Sequence, residues 1–194
     1  MLTSTDFSGL FNKRFFNNFL PIPATNHFNI GTLAPPFQLL NVTTGQQVRL
    51  AEYTGNRRED AEALNRPVVL AFTRIFTEKQ YCPFCFPHIK ALNEAYEQFQ
   101  SRGVEVLMIT STAERQSKIV IRDLHLKMPL LSDPACRVFR AYQVGQALGA
   151  PLPAQFVLDR AGKIRFRHLF SFLEPNASIE RLLSAIDSLP PIAQ

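Results

Sequence analysis

Blocks of apolar and polar residues along the chain predict an α/β fold. Residues 37–42 and 47–50 read as two short strands with Thr44-Gly45 turning between them. Residues 51–66 are polar and charged, a loop with room for one helical turn. The run Pro-Val-Val-Leu-Ala-Phe at 67–72 is apolar without interruption, the pattern of a strand covered on both faces. Ile89, Leu92, Tyr96 and Phe99 then keep a helical period to Arg102, and Gly103 supplies the stop. Residues 104–110 repeat the buried-strand pattern and 113–125 the helical one. Residues 129–131 lead into Ser132-Asp133-Pro134, which caps a helix carrying Val138, Phe139 and Tyr142. A Pro-rich loop covers 149–153. Residues 155–159 and 163–170 flank Arg160-Ala161-Gly162 as a β-hairpin, and Ile179, Leu182, Leu183, Ile186 and Leu189 line a last amphipathic helix. Strand, helix, strand, helix, hairpin and helix make an α/β plan with a mixed central sheet flanked by helices.

Residues 1–28 break from this plan. Phe7, Phe11, Phe15 and Phe19 recur every fourth residue, with Leu10, Phe16 and Leu20 beside them, which predicts one face of a helix ended by Pro21 and Pro23. The chain therefore divides into an N-terminal amphipathic arm, 1–28, and a body, 29–194. The arm's readings are packing on its own body or a partner subunit, lying on a membrane surface, or remaining a mobile tail.

Composition narrows the function classes. The chain has 194 residues, 46% of them hydrophobic, enough to bury a core. The net charge is +5, but Lys and Arg are interspersed with acids, the pattern of a solvated basic surface and not of a nucleic-acid stripe. No apolar stretch reaches the roughly 18 residues of a membrane span. No continuous apolar run with a cleavage site opens the chain, so a cytoplasmic location is expected.

Three cysteines are too few for a secreted disulfide framework. Cys82 and Cys85 lie three apart in Tyr81-Cys82-Pro83-Phe84-Cys85, where a buried strand hands over to a helix. Pro83 suits a first helical position, which puts Cys82 at the helix N-terminus. Unpaired N–H groups and the helix dipole favour an anion there, so a thiolate is stabilised and made nucleophilic. Cys85, one turn on, can attack a mixed disulfide or sulfenic acid on Cys82. Lys79 and Arg74 could add positive potential. Competing readings are two buried core cysteines, or half a zinc site completed by His88 and Cys136. Cys136 reads as a small core residue, with a distant resolving thiol as the alternative. Pro153, just before a strand, is where a cis proline facing the cysteines would stand; the plain alternative is an ordinary trans turn proline.

Residues 31–188 resemble the AhpC/TSA branch of the thioredoxin superfamily, the peroxiredoxins and their CxxC-bearing relatives. Four segments carry the resemblance: Gly31-Thr-Leu-Ala-Pro35-Pro-Phe37; Phe72-Thr73-Arg74 with Tyr81-Cys-Pro-Phe-Cys85; Leu130-Leu-Ser-Asp-Pro134 with Val138, Arg140, Ala141 and Tyr142; and Phe156-Val-Leu-Asp159 with Gly162-Lys163. It implies a thioredoxin-like fold and reduction of hydrogen peroxide or organic hydroperoxides. Cys82 would be the peroxidatic thiolate and Cys85 the resolving thiol. A thioredoxin or another small thiol would be the reductant, with no further cofactor and no metal; a homodimer is one arrangement open to it. The same pair also fits a disulfide oxidoreductase or a redox sensor. The chain departs from the family pattern where Lys79 and Ile75 stand for Thr and Pro, and where Pro153 stands for an Arg. Thr77 or Thr73 are candidates for the displaced hydroxyl, and Arg74, Arg115 or Arg140 for the displaced cation.

Overall fold

The computed structural model describes residues 10–25, 28–55 and 64–190. Its strands are β1 (Gln38–Asn41), β2 (Gln46–Arg49), β3 (Val68–Thr73), β4 (Ile75–Thr77), β5 (Gln80–Tyr81), β6 (Glu105–Thr110), β7 (Leu130–Ser132), β8 (Gln146–Ala147), β9 (Ala150–Pro151), β10 (Ala154–Leu158) and β11 (Ile164–Leu169). Its helices are α1 (Lys13–Asn17), α2 (Leu50–Tyr53), α3 (Cys85–Ser101), α4 (Glu114–Leu124), α5 (Arg137–Ala141) and α6 (Ile179–Asp187). Seven strands form one mixed sheet in the order β11-β10-β3-β6-β7-β1-β2. The β3–β6–β7 centre is parallel and the flanking strands are antiparallel.

Burial on both faces explains why the central strands read as unbroken apolar runs: every residue of β3, β6 and β10 is buried. Val68, Leu70 and Phe72 of β3 enter one core with Phe139, Tyr142 and Phe156. The Phe72 ring lies 5.1 Å from Phe139, 5.0 Å from Tyr142 and 5.8 Å from Phe156, an aromatic cluster that anchors α5 to the sheet. Val69 and Ala71 point the other way, into a second core under α3, α4 and α6. By this alternation Thr73, the last residue of β3, stands on the α3 face. The predicted cap of α5 is present: the Asp133 carboxylate accepts from the N–H groups of Arg137 (2.9 Å), Val138 (2.8 Å) and Phe139 (3.3 Å).

The segment after β3 is a small hairpin, β4–β5. Two local expectations are corrected. Half of the Pro-rich stretch likewise belongs to a hairpin, β8–β9. Among its described residues the arm is helical only over α1, five residues capped by Asn12, whose side chain accepts from Phe15 N–H; its chain turns at Asn18, before the prolines. Phe7 lies outside the described residues. From Asn18 to Thr25 the chain runs along the body, bonded at Ile22 N–H to Gln146 O (2.8 Å) and at Thr25 N–H to Gln143 O (3.0 Å). Among the described residues no helix is long and apolar enough to cross a membrane.

Candidate active site

β3 ends at Thr73, and Arg74 carries the chain into the β4–β5 hairpin. The hairpin folds back so that Cys82 N–H donates to Arg74 O (3.3 Å). The Cys82 carbonyl accepts from the N–H groups of Cys85 and Phe86, both at 3.0 Å, so the helical turn is wound from Cys82 onward although regular α3 begins at Cys85. Pro83 occupies that first turn, where a missing N–H costs nothing.

Both thiols are free and almost sealed from solvent, Cys82 at 3% and Cys85 at 1% exposure. Their titrations are split. Cys82 is lowered to about 6, first by the hydrogen bond that the Cys85 thiol donates to it, then by the backbone N–H groups of Cys85 and Phe84, with Arg74 adding charge; burial opposes the shift. Cys85 is pushed up strongly, by its role as donor to Cys82 and by burial. The negative charge of the pair is thus favoured on Cys82 and disfavoured on Cys85.

Arg74 is the cation of the site. It is buried, and its charge acts on the Cys82 and Cys85 sulfurs. One terminal nitrogen donates to Ala147 O and to Leu148 O, the latter at 3.3 Å, and the guanidinium lies 4.6 Å above the Phe76 ring. Its Nε, also buried, meets no hydrogen-bond partner, and neither does the buried Thr73 Oγ1. Burial lowers the Arg74 pKa while Cys82 and Cys85 raise it.

The other sequence candidates fall differently. Thr77 is buried in β4, and its Oγ1 accepts from Lys79 N–H (3.3 Å), a bond that closes the hairpin turn. Pro153 is buried just before β10 and, by the register that pairs Ala154 with Phe72, stands opposite Thr73. It is trans, as is every described peptide bond; it follows the β8–β9 hairpin, where Leu152 N–H donates to Gly145 O (3.0 Å). Arg140 donates to Ala135 O, just before the start of its own helix. His88 donates from Nε2 to Ala177 O (3.0 Å). Cys136 is buried beside Asn18 Nδ2 (3.7 Å), and burial first, then Asp133, pushes its thiol up to about 11. Among the described residues no three His, Cys, Asp or Glu side chains converge.

Beside the pair lies an exposed aromatic surface. Phe84, between the cysteines, is 49% exposed, and its ring is 6.5 Å from Phe170, which is 5.2 Å from Phe172. Asn176 Nδ2 ties this loop to the cysteine turn through Phe84 O (2.9 Å).

The model of the AhpC/TSA family matches residues 30–167. Chloroplastic peroxiredoxin Q of Sedum lineare is 27% identical over 161 residues, covering 82% of this chain and 78% of its own. The thiol-disulfide oxidoreductase ResA of Geobacillus thermodenitrificans is 29% identical over 138 residues, covering 70% of this chain and 67% of its own. The crystal structure of peroxidoxin BcpB from Mycobacterium tuberculosis superposes with a TM-score of 0.69 at 20% identity over 85% of this chain and all of that one, a likeness of fold.

Proposed function

Because this chain belongs to the AhpC/TSA family, a thioredoxin-superfamily oxidoreductase lineage, we propose that it reduces hydrogen peroxide or organic hydroperoxides at Cys82 and resolves the product with Cys85. The observation that carries the reading is the charge split of the pair beside two buried, unpartnered donors, Arg74 Nε and Thr73 Oγ1. A buried donor without a partner is costly, so donors left open at a nucleophile fit an oxygen ligand that arrives and leaves.

In this reading the peroxide binds with its oxygens toward Thr73 and Arg74. The Cys82 thiolate attacks one peroxide oxygen and the O–O bond breaks. The peroxide's own proton goes to the leaving oxygen, which departs as alcohol or water. Cys82 is left as sulfenate, which takes a proton to become sulfenic acid. The Cys85 sulfur then attacks the Cys82 sulfur, a disulfide forms, and the sulfenic oxygen leaves as water. A dithiol reductant, a thioredoxin or small thiol, returns two electrons by exchange. Thr73 takes the hydroxyl role and Arg74 the cation role, with Pro83 shaping the turn and Pro153 closing the wall opposite Thr73. A reducing compartment such as the cytoplasm suits a pair that must be returned to thiols.

The exposed surface of Phe84, Phe170 and Phe172 favours a second reading, exchange with a protein disulfide docked there. One experiment separates them. Reduced protein is mixed with substoichiometric hydrogen peroxide and Cys82 is followed by mass spectrometry, with Cys82→Ser and Cys85→Ser as controls. Rapid sulfenic acid at Cys82, trapped in Cys85→Ser and a disulfide in the native chain, is expected. Oxidation no faster than that of a free thiol, together with reduction of insulin, would transfer the assignment to disulfide exchange.

A further inference from the structure

The N-terminal segment reaches Arg74 from two sides. Arg14 of α1 donates through Nη1 to Ser111 O (2.7 Å) and Ser111 Oγ (3.2 Å), at the end of β6, and through Nη2 to Phe76 O. Phe76 is the residue whose ring lies under the Arg74 guanidinium. On the other side, Arg74 donates to Ala147 O and Leu148 O in the β8–β9 turn. That turn is held by the same segment: Leu148 N–H donates to Phe19 O (3.0 Å), Gly149 N–H to Asn18 O (3.0 Å), and Gln146 exchanges two backbone bonds with Ile22, both at 2.8 Å. Gln146 Nε2 adds bonds to Asn17 O (3.1 Å) and Leu20 O (3.2 Å). The Phe15 ring presses on Gly149 so closely that a Cβ there would lie 2.0 Å from it. The ring beneath Arg74 and the carbonyls at its tip are thus both fastened by residues 14–22.

A segment that only covered apolar surface would gain nothing from Arg14. Taking a guanidinium even partly out of water is costly, and the half-buried Arg14 meets carbonyl and hydroxyl oxygens and, among the described residues, no carboxylate. Five donors in a planar fork are suited to bridging fixed acceptors on separate strands. Here they join the end of β6 to the hairpin that carries Phe76, fixing the distance between the hairpin and the sheet end from which Arg74 projects.

We propose that Arg14 is a positioning residue for the proposed thiol chemistry: with α1 and the strand-like stretch after it, it clamps Arg74 against Cys82 and so sets the reactivity of the thiolate. The proposal rests on Cys82 being the nucleophile, and its test keeps the two apart.

The pH dependence of Cys82 alkylation by iodoacetamide is measured in the full chain by mass spectrometry, for Arg14→Ala in the native and in the Arg74→Met backgrounds. In the native background Arg14→Ala is expected to raise the Cys82 midpoint by roughly half a unit and to slow alkylation at pH 6 about twofold. In the Arg74→Met background it is expected to change neither, because the group it acts through is gone. An unchanged midpoint, or an equal shift in both backgrounds, would overturn the proposal. If Arg14→Ala fails to fold, Phe15→Ala, which loosens the segment against Gly149, is put through the same two backgrounds with the same expectation. Alkylation spread evenly over Cys82, Cys85 and Cys136 in the native chain would instead sink the nucleophile assignment itself.

Discussion

The Cys85 thiol, more than Arg74, holds Cys82 as a thiolate, and this ranking can be tested by removing one sulfur. In Cys85→Ala the strongest contribution to the lowered Cys82 pKa disappears, while the N–H groups of Phe84 and residue 85 and the Arg74 guanidinium remain. A hydrogen bond to a charged acceptor is worth about 1.5–3 kcal/mol, and a thiol, as a weak donor, belongs at the lower end. At about 1.4 kcal/mol per pKa unit, its loss moves Cys82 up by roughly one unit. The midpoint should then rise from about 6 to roughly 7. Cys85→Ser keeps a donor in the same place and should leave the midpoint at or below its native value. The assay is the pH dependence of thiolate ultraviolet absorbance and of iodoacetamide alkylation at Cys82, with each variant's fold checked by thermal unfolding. A Cys85→Ala protein that still titrates with the native midpoint would refute the argument and pass the stabilisation to the helix N–H groups and Arg74.

Other consequences are open to measurement. Thr73→Val removes a hydroxyl that bonds nothing, so its melting temperature should match or exceed that of the native chain, while its rate constant with peroxide falls about tenfold, the equivalent of one lost hydrogen bond. His88, lowered to about 4 chiefly by burial, stays neutral in the fold while the unfolded chain takes up a proton below pH 6.5. Stability should therefore fall as pH drops from 6.5 to 4, by at most about 3 kcal/mol, because solvent reaching the half-buried ring screens part of the effect. His88→Gln should flatten that limb in urea titrations at several pH values, and an unchanged slope would contradict the shift. Asp133→Ala strips three N–H groups at the start of α5 of their acceptor and should cost about 2 kcal/mol, read as a lower urea midpoint. A loss under about half a kcal/mol would mean water replaces the cap.

The sheet was legible because its strands carry strong patterns. β3 and β6 are buried on both faces, and their short, mostly apolar runs have the length of a strand and fall short of a usual helix. The cysteine turn was legible for a local reason, Pro83 beside Cys82. The β4–β5 hairpin was not: its turn is Glu78-Lys79, without the Gly or Asn that marks a tight hairpin. That hairpin explains why Thr77, a reasonable candidate by proximity along the chain, spends its hydroxyl on Lys79, while Thr73 at the end of β3 keeps its own unpaired. Arg74 could be named from sequence but not placed, since its anchoring carbonyls at Ala147 and Leu148 lie more than seventy residues away. Arg14 gave no local sign at all. In an amphipathic segment it reads as the solvent face, and only tertiary contact turns it inward.

In the proposed reaction, the coupling between the two cysteines would also act as an interlock on the order of events. While Cys82 is a thiolate, its charge and its demand for a proton keep Cys85 protonated. Cys85 cannot then compete for oxidant. Once Cys82 carries oxygen and has lost its negative charge, the two influences on Cys85 that come from Cys82 vanish together, and only burial still opposes its ionisation. In that reaction the second sulfur would be armed by the oxidation of the first. A site built this way exposes a single target to oxidant at any moment, and a Cys85→Ala chain, lacking the second sulfur, would be the form most prone to run on to irreversible sulfinic acid.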